Sequence, residues 1–112
     1  MSQWVKVAET AEIPPGDSKA FIVERESIAV FNVDGEYFAI SNRCPHAAGP
    51  LVQGFVEKGR VVCPWHAWSF PLSPVNPPND GVARYRARVD DGSIFLEVPV
   101  GNYGQSSIIR SM

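Results

Sequence analysis

Apolar and β-branched residues recur at a period of two, or in short β-rich runs, over residues 4–8, 20–24, 28–33, 36–41, 60–63, 82–89 and 93–98, the pattern of half-buried strands. Asp34-Gly35 stands between two of these runs and Asp91-Gly92 between two others. Each is a strong hairpin signal, because Gly accepts the positive φ that primed turns demand. Pro14-Pro15-Gly16 and Lys58-Gly59 mark further reversals. No internal repeat and no amphipathic helix emerges. The 112 residues include nine Gly and ten Pro, residues that damage helix interiors. The expected fold class is therefore all-β. The length suits one domain, taken here as residues 1–100. Residues 101–112 lack a pattern and are read as a tail, docked or frayed. Residues 43–80 are proline-rich, hold two tryptophans and show little periodicity, as expected of functional loops set into a β scaffold.

Charge and hydropathy narrow the partners. With a formal charge of -2 and 45% apolar content, the chain has neither the basic surface of a nucleic-acid groove nor that of a protein held on anionic lipid. No apolar run approaches the roughly 20 residues of a membrane helix. The start Met1-Ser2-Gln3 lacks the basic and apolar regions of a secretion signal, so a cytoplasmic location is expected.

Both cysteines and both histidines fall in the irregular segment, as Cys44-Pro45-His46 and Cys63-Pro64-Trp65-His66, sixteen residues apart. A disulfide between Cys44 and Cys63 would need an oxidising compartment and leave the histidines without a role. A structural zinc ion is the stronger rival, although zinc fingers usually open with two closely spaced cysteines and close with paired histidines. Here each loop offers one Cys and one His. That mixture suits a two-iron centre in which each loop sends a thiolate to one iron and an imidazole to the other.

The pattern C-P-H-x16-C-P-W-H resembles that of the Rieske proteins, in particular the ferredoxins that serve bacterial oxygenases and the small subunit of NAD(P)H-dependent nitrite reductase. Gly49-Pro50-Leu51 after the first loop and Trp68-Ser69-Phe70 after the second are similar to family members. The resemblance runs from about Trp4 to Val98. It implies an ISP-like antiparallel sandwich of three sheets carrying a cluster-binding subdomain at about 43–80. It also implies a [2Fe-2S] cofactor, with Cys44 and Cys63 on a buried iron and His46 and His66 on an outer one.

The mixed ligand set has an electrostatic consequence. Two ferric ions with two sulfides form a dication, which two thiolates and two neutral imidazoles bring to neutrality, whereas four thiolates leave a dianion. Such centres accept an electron more easily, at about −150 to +300 mV against about −400 mV for plant-type clusters. High-potential relatives add a disulfide between the loops and Ser and Tyr hydroxyls donating to sulfur. Aligned on the ligands, those positions are Gly49, Trp65, Trp68 and Phe70, so the lower part of the range is expected.

Arg84, Arg86 and Arg88 alternate along one expected strand and would share a face, open either to solvent or to an acidic partner. Trp65 and Trp68 fit a docking collar or core packing equally. Trp4 is assigned to the core, and Ser73–Pro78 either to the proline-rich flap that the resemblance implies over the cluster or to a plain rigid linker. Gly101 and Gly104 make no nucleotide loop. A hydroxylase would need a second iron on further histidines, and the chain has none left. It lacks the length and the fingerprint of a flavin or nicotinamide domain. The resemblance therefore implies a one-electron carrier between an NAD(P)H-dependent flavin reductase and an oxygenase. The alternatives are a nitrite reductase subunit and a zinc-stabilised binding module without redox chemistry.

Overall fold

Three two-residue turns fold the chain back on itself. Asp34-Gly35, Lys58-Gly59 and Asp91-Gly92 have positive φ at both positions, the geometry whose twist matches that of the flanking strands. A computed structural model describes residues 2–23, 25–43, 50–63, 69–72, 82–99 and 108–110, with only the backbone described at 2, 99 and 108–110. Its strands are β1 (Ser2–Glu9), β2 (Ser18–Val23), β3 (Glu26–Val33), β4 (Glu36–Ser41), β5 (Phe55–Glu57), β6 (Arg60–Val62), β7 (Ser69–Pro71), β8 (Arg84–Tyr85), β9 (Ala87–Asp90), β10 (Ser93–Pro99) and β11 (Ile108–Arg110). Short 3-10 turns occupy Thr10–Glu12 and Leu51–Gln53. Among the described residues there is no α-helix, and so none long and apolar enough to cross a membrane.

The strands form three antiparallel sheets, ordered β1-β10-β9, β11-β2-β3-β4-β8 and β5-β6-β7. The all-β, three-sheet expectation is borne out. β3 lies at the centre of the five-stranded sheet and is buried on both faces. Ile28 and Val30 point into one core with Ile94 and Leu96 of β10, while Ala29 and Phe31 point into a second core with Val61 and Phe70. Successive residues of a strand alternate sides, so a single strand supplies both cores. In β1 the pairing with β10 slips between Lys6 and Ala8. That bulge admits one extra residue, and the consecutive Val7 and Ala8 are both buried.

Two expectations need correction. The run 82–89 is not one strand. β8 pairs with β4 while β9 pairs with β10, and the chain changes sheets at Arg86. The three arginines therefore do not share a face. Arg84 is 7% exposed and hydrogen-bonded inside the protein, whereas Arg86 and Arg88 lie outside. Trp4 is likewise not core. It is 37% exposed, with the Arg88 guanidinium 4.6 Å from its ring centre, a cation-π stack on an open sheet face. Part of the tail docks, since β11 pairs with β2 through Ile108, Ile109 and Arg110.

Candidate metal centre

The chain enters and leaves the two cysteine-histidine segments through paired arms. Arg43 and Pro50 form an isolated antiparallel bridge, enclosing residues 44–49. Val62 of β6 pairs with Ser69 of β7, enclosing residues 63–68. Each enclosed segment is thus six residues long, and each begins with its cysteine.

Both sets of arms rest on the same core. Leu51 follows Pro50, Phe70 follows Ser69, and both pack with Val61, Leu72 and Cys63 in the second apolar cluster. Cys63 is 1% exposed. Gly54 allows the return arm of the first segment to pass close to the second, since a Cβ at that position would lie 2.0 Å from the Val62 carbonyl oxygen. Cys44, His46, His66, Trp65, Trp68 and the segment 73–78 lie outside the described residues. Of the four expected ligands the structure therefore places Cys63 alone.

Polar contacts at the base of the arms are well defined. Asn42, the residue before the bridge, accepts the Leu51 N–H on its backbone carbonyl (2.7 Å) and the Val52 N–H on Oδ1 (2.8 Å). Its Nδ2 donates to Ser27 Oγ (3.1 Å), and its backbone N–H donates to the Ser27 carbonyl (2.9 Å). On the second pair of arms, Arg60 donates to Ser69 Oγ (2.9 Å) and to the Ser69 carbonyl (3.0 Å). Arg84 donates to the carbonyls of Pro71 and Val82, which flank residues 72–81. None of these residues was read from the sequence as a support of the site, Arg84 being assigned to an outer strand face instead. A signal existed for Asn42, an Asx residue at a chain reversal two positions before a cysteine.

The donor chemistry fits an iron-sulfur centre. A buried thiol amid aliphatic and aromatic side chains offers a soft ligand in a site from which water is excluded. Among the described residues no group of three or more His, Cys, Asp or Glu side chains could hold a metal elsewhere.

Comparison with known proteins agrees. The sequence model of the Rieske [2Fe-2S] domain matches residues 3–78. The chain belongs to the Rieske [2Fe-2S] family. It is 36% identical over 94 residues, 80% of its own length and 88% of the relative's, to the 3-phenylpropionate/cinnamic acid dioxygenase ferredoxin subunit of Shigella flexneri serotype 5b, and equally to that of Escherichia coli K12. Among solved structures, the ferredoxin of carbazole 1,9a-dioxygenase from Nocardioides aromaticivorans IC177 superposes with a TM-score of 0.74 at 27% identity, covering 84% of this chain and 96% of that one. A structure described as the NADH-dependent nitrite reductase small subunit of Mycobacterium tuberculosis superposes with a TM-score of 0.78 at 21% identity, covering 90% and 99%, and shows the shared fold. The cofactor of this Rieske chain is a [2Fe-2S] cluster, and the protein is an electron carrier.

Proposed function

We propose that this Rieske protein takes single electrons from a reductase and delivers them to a terminal oxygenase, with Cys44, His46, Cys63 and His66 holding the cluster. The observation that carries the ligand assignment is the pair of six-residue segments, each opening on a cysteine and each based on the core that buries Cys63. The oxygenase assignment is supported by the ferredoxin subunits at 36% identity. A ferredoxin of the same fold is found in complex with the oxygenase of carbazole 1,9a-dioxygenase, a likeness at 21% identity that by itself carries no more than the fold.

When bound, the cluster supplies storage for one electron. The chain's own part is to hold two arms on one apolar base and keep water from the Cys63 side. In this reading both histidines of the chain serve as ligands, which leaves none for a second iron site, and turnover belongs to the acceptor. The nitrite reductase alternative rests on fold alone, at 21% identity, and ranks second. A cytoplasmic location follows from the same reading, since flavin reductases draw on NAD(P)H. So does a single domain over residues 1–100, to which β11 at 108–110 adds a strand, with 43–80 as its cluster-binding part.

The test is purification followed by iron and sulfide analysis, EPR of the reduced protein, and reduction by a flavin reductase with and without an oxygenase. A stoichiometric two-iron, two-sulfide protein that reoxidises on adding oxygenase supports the proposal. A colourless zinc-loaded protein removes it, and stable co-purification with a sirohaem protein transfers it to nitrite reduction.

A further inference from the structure

The two pairs of arms are not held in the same way. The second continues a regular ladder, Arg60 with Pro71, Val61 with Phe70 and Val62 with Ser69, reinforced by the Arg60 guanidinium on Ser69. The first ends in one isolated bridge whose return residue, Pro50, has no N–H to give. What closes it is Asn42. Its two carbonyl groups, backbone and side chain, take the consecutive N–H groups of Leu51 and Val52, while its amide nitrogens bind Ser27 at the start of β3. Among the described residues, four of the hydrogen bonds that anchor this junction thus converge on Asn42, through its side chain and its own peptide units. On the far side, Ser18 Oγ on β2 donates to the Val52 carbonyl (3.1 Å).

We propose that Asn42 is the positioning residue of the first ligand segment. It sets the arms from which Cys44, two residues on, and His46, four residues on, reach the metal. The inference rests on the cluster reading above. An acceptor at Oδ1 is the required feature. Without it the Val52 N–H loses its partner, the return arm keeps only the Leu51 N–H on the Asn42 carbonyl, and the ligands of this segment are held less rigidly while those of the second keep their fixed approach. Outer groups that orient ligands typically change metal retention by about 10–100-fold.

The experiment compares the purified, cluster-loaded wild type with N42A, N42D and a core control, I94V or I94A, chosen to match N42A in thermal midpoint. Ile94 belongs to the other core. Asp keeps the oxygen that accepts from Val52 and can accept from the Ser27 hydroxyl, so N42D is the rescue variant. Its added charge would move the reduction potential for another reason, so the readouts are the EPR g-values of the reduced protein and the rate of iron release to a chelator. N42A is expected to release iron about 10-fold faster with shifted g-values, N42D to stay within about twofold of wild type, and the control to match wild type. Should N42A not accumulate folded, N42S, whose hydroxyl is too short to reach Val52, takes its place against N42D.

N42A indistinguishable from the core control, or N42D as labile as N42A, overturns the proposal. A wild-type protein devoid of iron and sulfide overturns the cluster reading itself. A loaded wild type with an inert Asn42 overturns this proposal alone.

Discussion

The guanidinium of Arg84 donates to the carbonyl of Pro71 and so joins β8 of the five-stranded sheet to β7 of the small one. It also donates to the Val82 carbonyl at 2.9 Å, drawing together the two chain ends that flank residues 72–81. Because the group is buried, its truncation leaves carbonyls without their donor in a place water reaches poorly. Arg84→Met is expected to cost about 2 kcal/mol, read as a fall in the urea midpoint. Arg84→Lys, which keeps the charge but not the planar fork, should recover part of it. A loss under about 0.5 kcal/mol for Arg84→Met would show the bridge to be energetically idle.

Gly54→Ala places a methyl group against the backbone next to Cys63. The added Cβ would lie 2.0 Å from the Val62 oxygen and 3.2 Å from that of Leu51, atoms of the main chain that cannot rotate aside. The 55–62 hairpin must shift, at about 2 kcal/mol or more. Iron content per chain should fall together with the thermal midpoint. An alanine variant with full iron and unchanged melting would contradict this geometry.

Tyr85 confers an alkaline limit on stability. Burial first, and the charge of Glu26 second, raise its phenol above the ordinary 10.0. The unfolded chain therefore loses the proton at a lower pH than the folded one, and stability falls as pH rises from 10.0 through the folded value. Tyr85→Phe should flatten that part of the profile, as measured by denaturant titration at successive pH values. An unchanged slope in the variant would assign the decline to other groups.

For the redox centre, a wild-type midpoint below about +150 mV is expected, because the positions of the sulfur-directed hydroxyls are Trp68 and Phe70. His66→Cys would add a negative charge to the oxidised site. Where a cluster still assembles, its midpoint should move toward the region of about −400 mV. Protein-film voltammetry decides both. A value well above +150 mV in the wild type, or no downward shift in the variant, would refute the charge argument.

The hairpins at Asp34-Gly35 and Asp91-Gly92 were legible because both turns are local, and β4 spans 36–41 as expected. Three strands were not. β5, β7 and β11 have three residues each, too few for alternation to stand out, whereas the equally short β6 was marked by its adjacent Val61 and Val62 after the Lys58-Gly59 turn. The 82–89 run misled because alternation carries across a change of sheet that breaks its phase. Arg84 and Arg88 are in phase along the sequence, yet Arg84 is buried in β8, which pairs with β4, while Arg88 is exposed in β9, which pairs with β10. For Trp4 the sequence did hold a signal, since it is in phase with the exposed Lys6, two residues on. The family was legible from the spacing of two cysteines and two histidines. The arms behind that spacing were not, since they depend on Asn42, Arg60 and Arg84 meeting backbone groups distant in sequence.

The docking of β11 on β2 has a consequence for the behaviour of the whole molecule. Without those three residues, Phe21, Ile22 and Val23 would present a bare row of amides and carbonyls along the rim of the largest sheet, a template on which another molecule can add a strand. A chain cut after Pro99 would then acquire a tendency to self-associate that rises with concentration, although every group near the iron is intact. Residues 108–110 thus serve as a cover for that rim.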